Sequence, residues 1–384
     1  MIDFSYTDEQ KMIIDTVRKF VEKECPKQLM RELDEKDVFP RDIFKKIADL
    51  GLLGLSVEEK YGGAGRDTIG YLLVIEEMAK AHSALGFAVT LSFSYGGENI
   101  SNNGNEAQKQ VYLPKIAKGE CLFALALTEP DAGSDLASLK SNAVEKGDKF
   151  IINGTKTLIT DADVADYILT LVRTDKNLPK HKGLSFFIID AKKEGITIRK
   201  IEKLGYKGSS ICEVNLEDVE VSRVDILGGP GCINNGWGQL LKILDIEHLE
   251  MAANSLGVAQ AAFNDTLQYA KEREQFGQPI GKFQVIGHML AEMGTEIQAA
   301  RLMMLYAAWL KDRGMPCGKE GAMAKYYASE VAKKVALNGM QIHGGYGYTM
   351  EYDVQRYVRD SLLLPIGGGT TQIQKNIISR HLGL

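Results

Sequence analysis

Hydrophobic positions recur along the chain first at helical spacing, then at every second residue, then at helical spacing again. Thr7 and Gln10 have capping-box spacing, and Ile13, Ile14, Val17, Phe20 and Val21 follow at intervals that place them on one face of a helix. The same signal returns around Arg41 to Leu50, Ile69 to Ala79 and Glu106 to Leu113, with Tyr61-Gly62-Gly63-Ala64-Gly65 as a loop between two of these segments. From about residue 122 the period falls to two. Lys149 to Ile152 and Thr155 to Thr160, separated by Asn153-Gly154, predict a hairpin, and Tyr167 to Thr174, Leu184 to Asp190 and Cys212 to Val221 predict further strands. Long alanine-rich helical segments then span 237–273, 282–312 and 317–343, with short Gly or Pro breaks between them.

These patterns predict a multi-domain α+β chain. A helical N-terminal domain (1–121) precedes a middle antiparallel β-barrel or sheet (122–231) and a C-terminal four-helix bundle (232–384). The length of 384 residues agrees with more than one domain around a large common core. With 46 basic and 51 acidic residues, the net charge of −5 leaves no electrostatic footprint for nucleic acid or a membrane surface. Five cysteines without a C-x-x-C pair suggest neither a disulfide framework nor a zinc site, and no metal is expected. The start Met1-Ile2-Asp3-Phe4 lacks the basic and apolar regions of a signal segment, and no stretch approaches the length of a membrane span. A cytoplasmic location without membrane insertion is the expectation.

Four segments have the composition of a ligand site. Phe123-Ala124-Leu125-Ala126-Leu127 runs into the polar turn Thr128-Glu129-Pro130-Asp131-Ala132-Gly133-Ser134-Asp135, which puts hydroxyls and backbone N–H groups at a strand end. An ordinary surface turn has the same residues. Arg273-Glu274-Gln275-Phe276-Gly277, followed by Gln284, combines a guanidinium suited to phosphate with an aromatic ring, although a plain helix C-terminus reads alike. Gln341-Ile342-His343-Gly344-Gly345-Tyr346-Gly347-Tyr348 has more glycines than a helix cap needs, and such residues let a backbone approach a phosphate or sugar. Ile366-Gly367-Gly368-Gly369-Thr370-Thr371-Gln372-Ile373-Gln374 opens a final helix with an anion- or carbonyl-binding geometry.

In this order and at these separations the four segments resemble the acyl-CoA dehydrogenase family over essentially the full length. The resemblance implies FAD as cofactor and an acyl-CoA thioester as substrate in fatty-acid or organic-acid metabolism. A carboxylate removes the α-proton while the β-hydrogen leaves as hydride to flavin N5. Carried over position by position, it implies FAD contacts at Leu125, Leu127, Thr128, Gly133, Ser134, Leu158 and Thr160, with Ser134 also near the substrate. Arg273, Gln275, Phe276, Gln284, Gln341, Gly344 and Gly345 match positions that hold the ADP part of FAD, typically that of a neighbouring subunit, and Thr370 and Gln372 match the last FAD-contacting turn. Sites shared in this way imply a homotetramer, and electron-transferring flavoprotein is the implied electron acceptor.

Two positions depart from the family pattern. Many members carry their catalytic glutamate where this chain has Gly368, but the isovaleryl-CoA and long-chain branch places it on a bundle helix, and Leu244-Asp245-Ile246-Glu247-His248-Leu249 resembles that segment. Glu247 shares a helix face with Leu240, Leu244 and Met251, so burial should raise its pKa from roughly 4.3 toward the ~6–7 useful to a base. Glu250, one turn on, is a second candidate. Asp245, His248 and Gly369 match positions near the thioester, His248 replacing an arginine common in relatives; Gly368 retains the N–H that polarises the carbonyl. Leu158 stands where relatives have a tryptophan packed near the flavin. A thioester tethered to a carrier protein, operation as an enoyl-thioester reductase, and a flavin-binding protein without activity are the alternative readings.

Overall fold

The computed structural model describes residues 5–384, so the opening Met1-Ile2-Asp3-Phe4 lies outside the described residues. The first region is helical: α1 (Asp8–Glu24), α2 (Lys27–Lys36), α3 (Arg41–Asp49), α4 (Thr68–Ala81), α5 (Ser83–Thr90), α6 (Asn99–Asn103) and α7 (Glu106–Ala117). The capping box that opens α1 forms as its residue types dictate, with Gln10 N–H donating to Thr7 Oγ1 and Thr7 N–H to Gln10 Oε1. Between α5 and α6, Leu91–Glu98 winds as a π-helix, a rare wide turn that is frequently found at functional sites.

Seven strands make one curled sheet in the order β1 (Phe123–Ala126), β4 (Tyr167–Arg173), β2 (Asn142–Lys146), β3 (Lys149–Thr160), β7 (Ile211–Ser222), β6 (Ile196–Ile201), with β5 (Leu184–Asp190) paired to β4. The β1–β4 and β2–β4 pairings are parallel and the others antiparallel. The expected hairpin at Asn153-Gly154 is corrected: β3 continues through both residues, and the turn lies at Gly147-Asp148, flanked by the Lys146–Lys149 pair. Gly154 marks a register shift against β7, where a Cβ would approach Ser141 Oγ to 2.1 Å, so its glycine serves close strand packing rather than a turn.

Period-two patterning divides the strands between two cores. Phe123, Leu125, Leu169, Leu171, Phe186 and Ile188 join the large core shared with the helices, while Ala124, Ala126, Ile168, Val172, Phe187 and Ile189 fill a second core within the sheet. Helices return with α8 (Gly236–Glu272), followed by the short hairpin β8 (Glu274–Gln275) and β9 (Gln278–Pro279). Then come α9 (Gln284–Asp312), α10 (Gly318–His343), α11 (Val354–Ser361) and α12 (Thr371–His381). α8, α9, α10 and α12 form the C-terminal bundle, and α4 packs along α8. No described helix is long and apolar enough to cross a membrane.

Candidate functional site

Glu247 leaves α8 on the face that also carries Leu240, Leu244 and Met251, and it points at the glycine loop between α11 and α12. A Cβ on Gly368 would lie 3.8 Å from Glu247 Oε1 and 3.0 Å from Met251 Cγ. The carboxyl of residue 247 therefore stands beside the space that a side chain at 368 would enter. Glu247 is half-buried, and burial pushes its pKa up to about 7 against the pull of Lys325. Both Gly368 (φ 61°) and Gly369 (φ 86°) have left-handed backbones, which side-chain-bearing residues rarely adopt.

Two side chains grip the loop from behind. The buried Lys325 on α10 donates from Nζ to the Gly369 carbonyl at 2.7 Å. Burial lowers its pKa to about 8, with Glu247 and Glu330 opposing. Gln374 donates its amide to the carbonyls of Gly368 at 3.0 Å and Gly369 at 3.3 Å. In a trans peptide the N–H points opposite to the C=O, so holding these carbonyls turns the neighbouring N–H groups the other way. Among the described residues neither Gly368 nor Gly369 N–H has an acceptor. The loop is thus an N–H donor site facing a carboxyl group.

His248 is buried behind this arrangement, its Nε2 3.1 Å from the Gln374 amide, and burial lowers its pKa to about 3. It meets the loop through Gln374. Asp245 is half-buried near Gly318, with its pKa raised by burial against Lys311 and His381.

A second group of residues gathers at the end of β1. Leu125 is buried and Leu127, Thr128 and Thr160 are half-buried, while Gly133 and Ser134 lie exposed in the following turn. Thr157 N–H donates to Thr128 O at 2.9 Å, tying the strand end to a bulge in β3 between Lys156 and Ile159. That bulge sets Leu158 at φ 59° with 58% of its surface exposed, an apolar side chain held out by a conformation that a β-branched or bulky residue adopts at a cost. Below the turn, Lys156 donates to Leu127 O at 3.0 Å and Glu129 Oε1 at 2.8 Å. Glu129 also accepts from the N–H groups of Lys140 (2.6 Å) and Ser141 (2.9 Å). Burial opposes ionisation of this carboxyl, yet Lys156 and these donors hold its pKa below the ordinary value.

The third group unites two segments far apart in sequence. Tyr269, Arg273 and Gln275 line a surface cleft of about 480 Å³ with His343, Gly344, Gly345 and Tyr346. The guanidinium of Arg273 lies over the Tyr346 ring, 5.4 Å from its centre. Phe276 and Gly277 turn the β8–β9 hairpin with φ of 53° and 79°, and the Phe276 ring is 94% exposed. Gln284 and Gln341 are exposed nearby in sequence at the ends of α9 and α10. Thr370 caps α12 by accepting from Ile373 N–H, and Gln372 projects to the surface from its first turn.

Sequence reasoning missed Lys156 and Lys325, and the roles of Gln374 and of Tyr95, which reaches Thr160. Lys325 carried a signal, because it shares a helical face with Ala322, Ala328 and Ser329, where a long cation needs a buried partner. Tyr95 carried none, since its place depends on the π-helical turn.

The β1-end group fits a planar ring with polar edges, and the Arg273 cleft fits a phosphate-bearing group. Hydroxyls at Thr128, Thr160 and Ser134 and the exposed Leu158 suit the former, and Arg273 with the unshielded backbone of Gly344 and Gly345 the latter.

Models of three acyl-CoA dehydrogenase domains match the chain: the N-terminal domain at residues 7–120, the middle domain at 124–219 and the C-terminal domain at 234–383. An acyl-CoA dehydrogenase of Bacillus subtilis is 41% identical, covering 98% of both chains. The caffeyl-CoA reductase–Etf complex subunit of Acetobacterium woodii is 38% identical over 98% of this chain and 99% of its own. Among solved structures, butyryl-CoA dehydrogenase from Megasphaera elsdenii superposes with a TM-score of 0.96 at 34% identity, covering 100% of each chain.

Proposed function

The chain belongs to the acyl-CoA dehydrogenase family, and from that premise we propose that it oxidises an acyl-CoA thioester to the 2-enoyl thioester with Glu247 as the base. The observation that carries this reading is the Glu247 carboxyl beside the open position at Gly368. FAD is the cofactor; Leu125, Leu127, Thr128, Ser134 and Thr160 at the β1 end would hold it, and it would supply the acceptor for the β-hydrogen as hydride.

The chain's own residues manage the proton and the carbonyl. An α-proton next to a thioester is too weakly acidic for a carboxylate alone, so charge developing on the carbonyl oxygen needs preorganised donors. The N–H groups of Gly368 and Gly369 supply them; Gln374 fixes the direction of the Gly369 N–H by holding the Gly368 carbonyl of the same peptide, and Lys325 with Gln374 anchors the loop at the Gly369 carbonyl. Glu247 then takes the proton from Cα. Its raised pKa makes it a stronger base than an ordinary carboxylate while leaving it substantially ionised near neutral pH. Asp245 is assigned to the thioester ligand's mouth, and His248 acts on the site by orienting Gln374. Anaerobic titration with a panel of acyl-CoA thioesters tests the reading: bleaching of the flavin by at least one saturated thioester supports it, and its absence across the panel contradicts it.

A base must be ionised to work. The rate of flavin reduction should therefore rise with pH through about 7 and level off above it, since protonation of Glu247 removes the base at low pH. Stopped-flow reduction between pH 5.5 and 8.5 reads this directly. A flat profile would point to a base with an ordinary carboxylate pKa.

The physiological acceptor is assigned to electron-transferring flavoprotein, in line with the Etf complex named for the Acetobacterium relative. That relative is named a reductase, which favours operation in the enoyl-reducing direction as the second reading. The assembly is assigned as a homotetramer in which Phe276 and Arg273 of one subunit reach the FAD of another. An aromatic ring 94% exposed on a strained two-residue turn supports this. Phe276→Ser should lower the FAD retained after gel filtration severalfold and shift the light-scattering mass below four copies. Unchanged FAD content and mass would contradict the shared site.

A further inference from the structure

Glu250 is buried to 1% exposure, and neither of its carboxyl oxygens has a hydrogen-bond partner in the structure. It lies one turn beyond Glu247 on α8, on neighbouring positions of the same helix face, with Cβ atoms about 5–6 Å apart. Its surroundings are polar. The Ser94 hydroxyl is close enough to counter the rise in its pKa that burial causes, but Ser94 Oγ too has no hydrogen-bond partner. Tyr95, which reaches Thr160, is influenced by both Glu247 and Glu250, and Tyr71 by Glu250. Ser92 Oγ and Asn254 Oδ1, also buried, are likewise unpartnered.

The contrast with Glu98 is informative. That carboxyl is as deeply buried and belongs to the same π-helical segment as Ser94, yet Arg66 at 2.5 Å and Asn102 at 2.8 Å satisfy it. Buried polar groups in folded proteins are nearly always paired, and burial without a partner marks a place where a ligand or an ordered water completes the set. Burial and the nearby Glu247 raise the pKa of Glu250 and favour its neutral form, in which a carboxyl both donates and accepts.

We propose that Glu250 and Ser94 form a hydrogen-bonding subsite for the acyl group, and that the preferred substrates are thioesters whose acyl chain bears a hydroxyl or comparable polar substituent roughly three to four bonds beyond the α-carbon. This rests on the reading of Glu247 as the base, because that reading fixes where the α-carbon lies. With Cα held at Glu247 and the carbonyl at Gly368, the subsite requires the remainder of the acyl chain to run along α8 toward Glu250, one turn on. A plain alkyl chain leaves the two groups with at most each other; a hydroxyl on C5 pairs with them. A site built to hydrogen-bond a substrate hydroxyl rejects the analogue lacking it, because its own polar groups then lose their partner.

The test compares 5-hydroxypentanoyl-CoA with hexanoyl-CoA, which have the same number of chain atoms. Dissociation constants are measured by calorimetry on the FAD-loaded Glu247→Gln protein, where turnover does not interfere, and kcat/KM on the wild type. We expect the hydroxylated member to bind at least ~10-fold more tightly and to show the same preference in kcat/KM. Adding Glu250→Leu should reverse that preference, and Glu250→Gln, which keeps shape and hydrogen bonding, should retain most of it. Tighter binding of hexanoyl-CoA, or a ratio that Glu250→Leu leaves unchanged in a folded protein, would overturn the subsite. Hydroxyl preference in binding together with undiminished flavin reduction by the Glu247→Gln protein would instead overturn the base assignment and leave the subsite standing.

Discussion

Glu247→Gln should slow reduction of the bound flavin by an acyl-CoA substrate by ~10³-fold or more, the upper part of the range expected for losing a positioned base. The amide is nearly isosteric with the carboxyl, so helix packing and the approach to Gly368 are preserved while the proton acceptor is lost. FAD content and melting temperature should remain close to wild type, because Glu247 makes no hydrogen bond that supports the fold. Stopped-flow reduction and the flavin spectrum separate these readouts. Glu250 is poorly placed to take over: it lies deeper, and burial favours its neutral form, which does not accept a proton. Wild-type reduction in this variant would remove the central assignment.

The second large effect concerns the buried pair beneath the turn that follows β1. Lys156 is fully buried, and its ammonium neutralises Glu129 while capping the Leu127 carbonyl. Lys156→Met keeps the volume but leaves Glu129 ionised and unpaired, or forces it to take up a proton. Breaking a buried pair from one side costs ~3–5 kcal/mol. That loss should appear in denaturant unfolding, and FAD should dissociate more readily because Leu127 and Thr128 lose their anchor. A double variant, Lys156→Met with Glu129→Leu, should recover only part of the stability, since it removes both charges but also loses the Glu129 carboxyl that accepts from Lys140 N–H and Ser141 N–H and shapes the turn. A destabilisation below ~1 kcal/mol in the single variant would mean that the pair does not anchor the turn.

Much of this architecture is legible in the hydrophobic pattern because local signals and tertiary packing agree. The capping box at Thr7 and Gln10 opens α1, and the period-two strands distribute their side chains into two cores. Asn153-Gly154 misleads because an Asn-Gly pair has the same local chemistry in a turn and in a bulge; only the approach of Ser141, twelve residues away from Asn153 in sequence, decides between them. The four ligand segments are recognisable in sequence, but their convergence is not. Arg273 meets Gly344 and Tyr346 across α9 and α10, a contact that no local pattern encodes. Lys325 and Gln374 escaped notice for a related reason. Each acts on backbone carbonyls of the glycine loop, and a carbonyl leaves no trace in residue identity. The loss of a side chain at Gly368 and the gain of a carboxyl at Glu247 are separate events in sequence that become one arrangement only in space.

The account stands on a base that acts before any hydride leaves, and hydrogen exchange at the α-carbon isolates that step. Oxidised protein incubated in D2O with a thioester that it binds but cannot oxidise should exchange the α-hydrogens, followed by proton NMR, and the Glu247→Gln protein should leave them in place. Exchange by the variant at the wild-type rate would show that another group removes the proton.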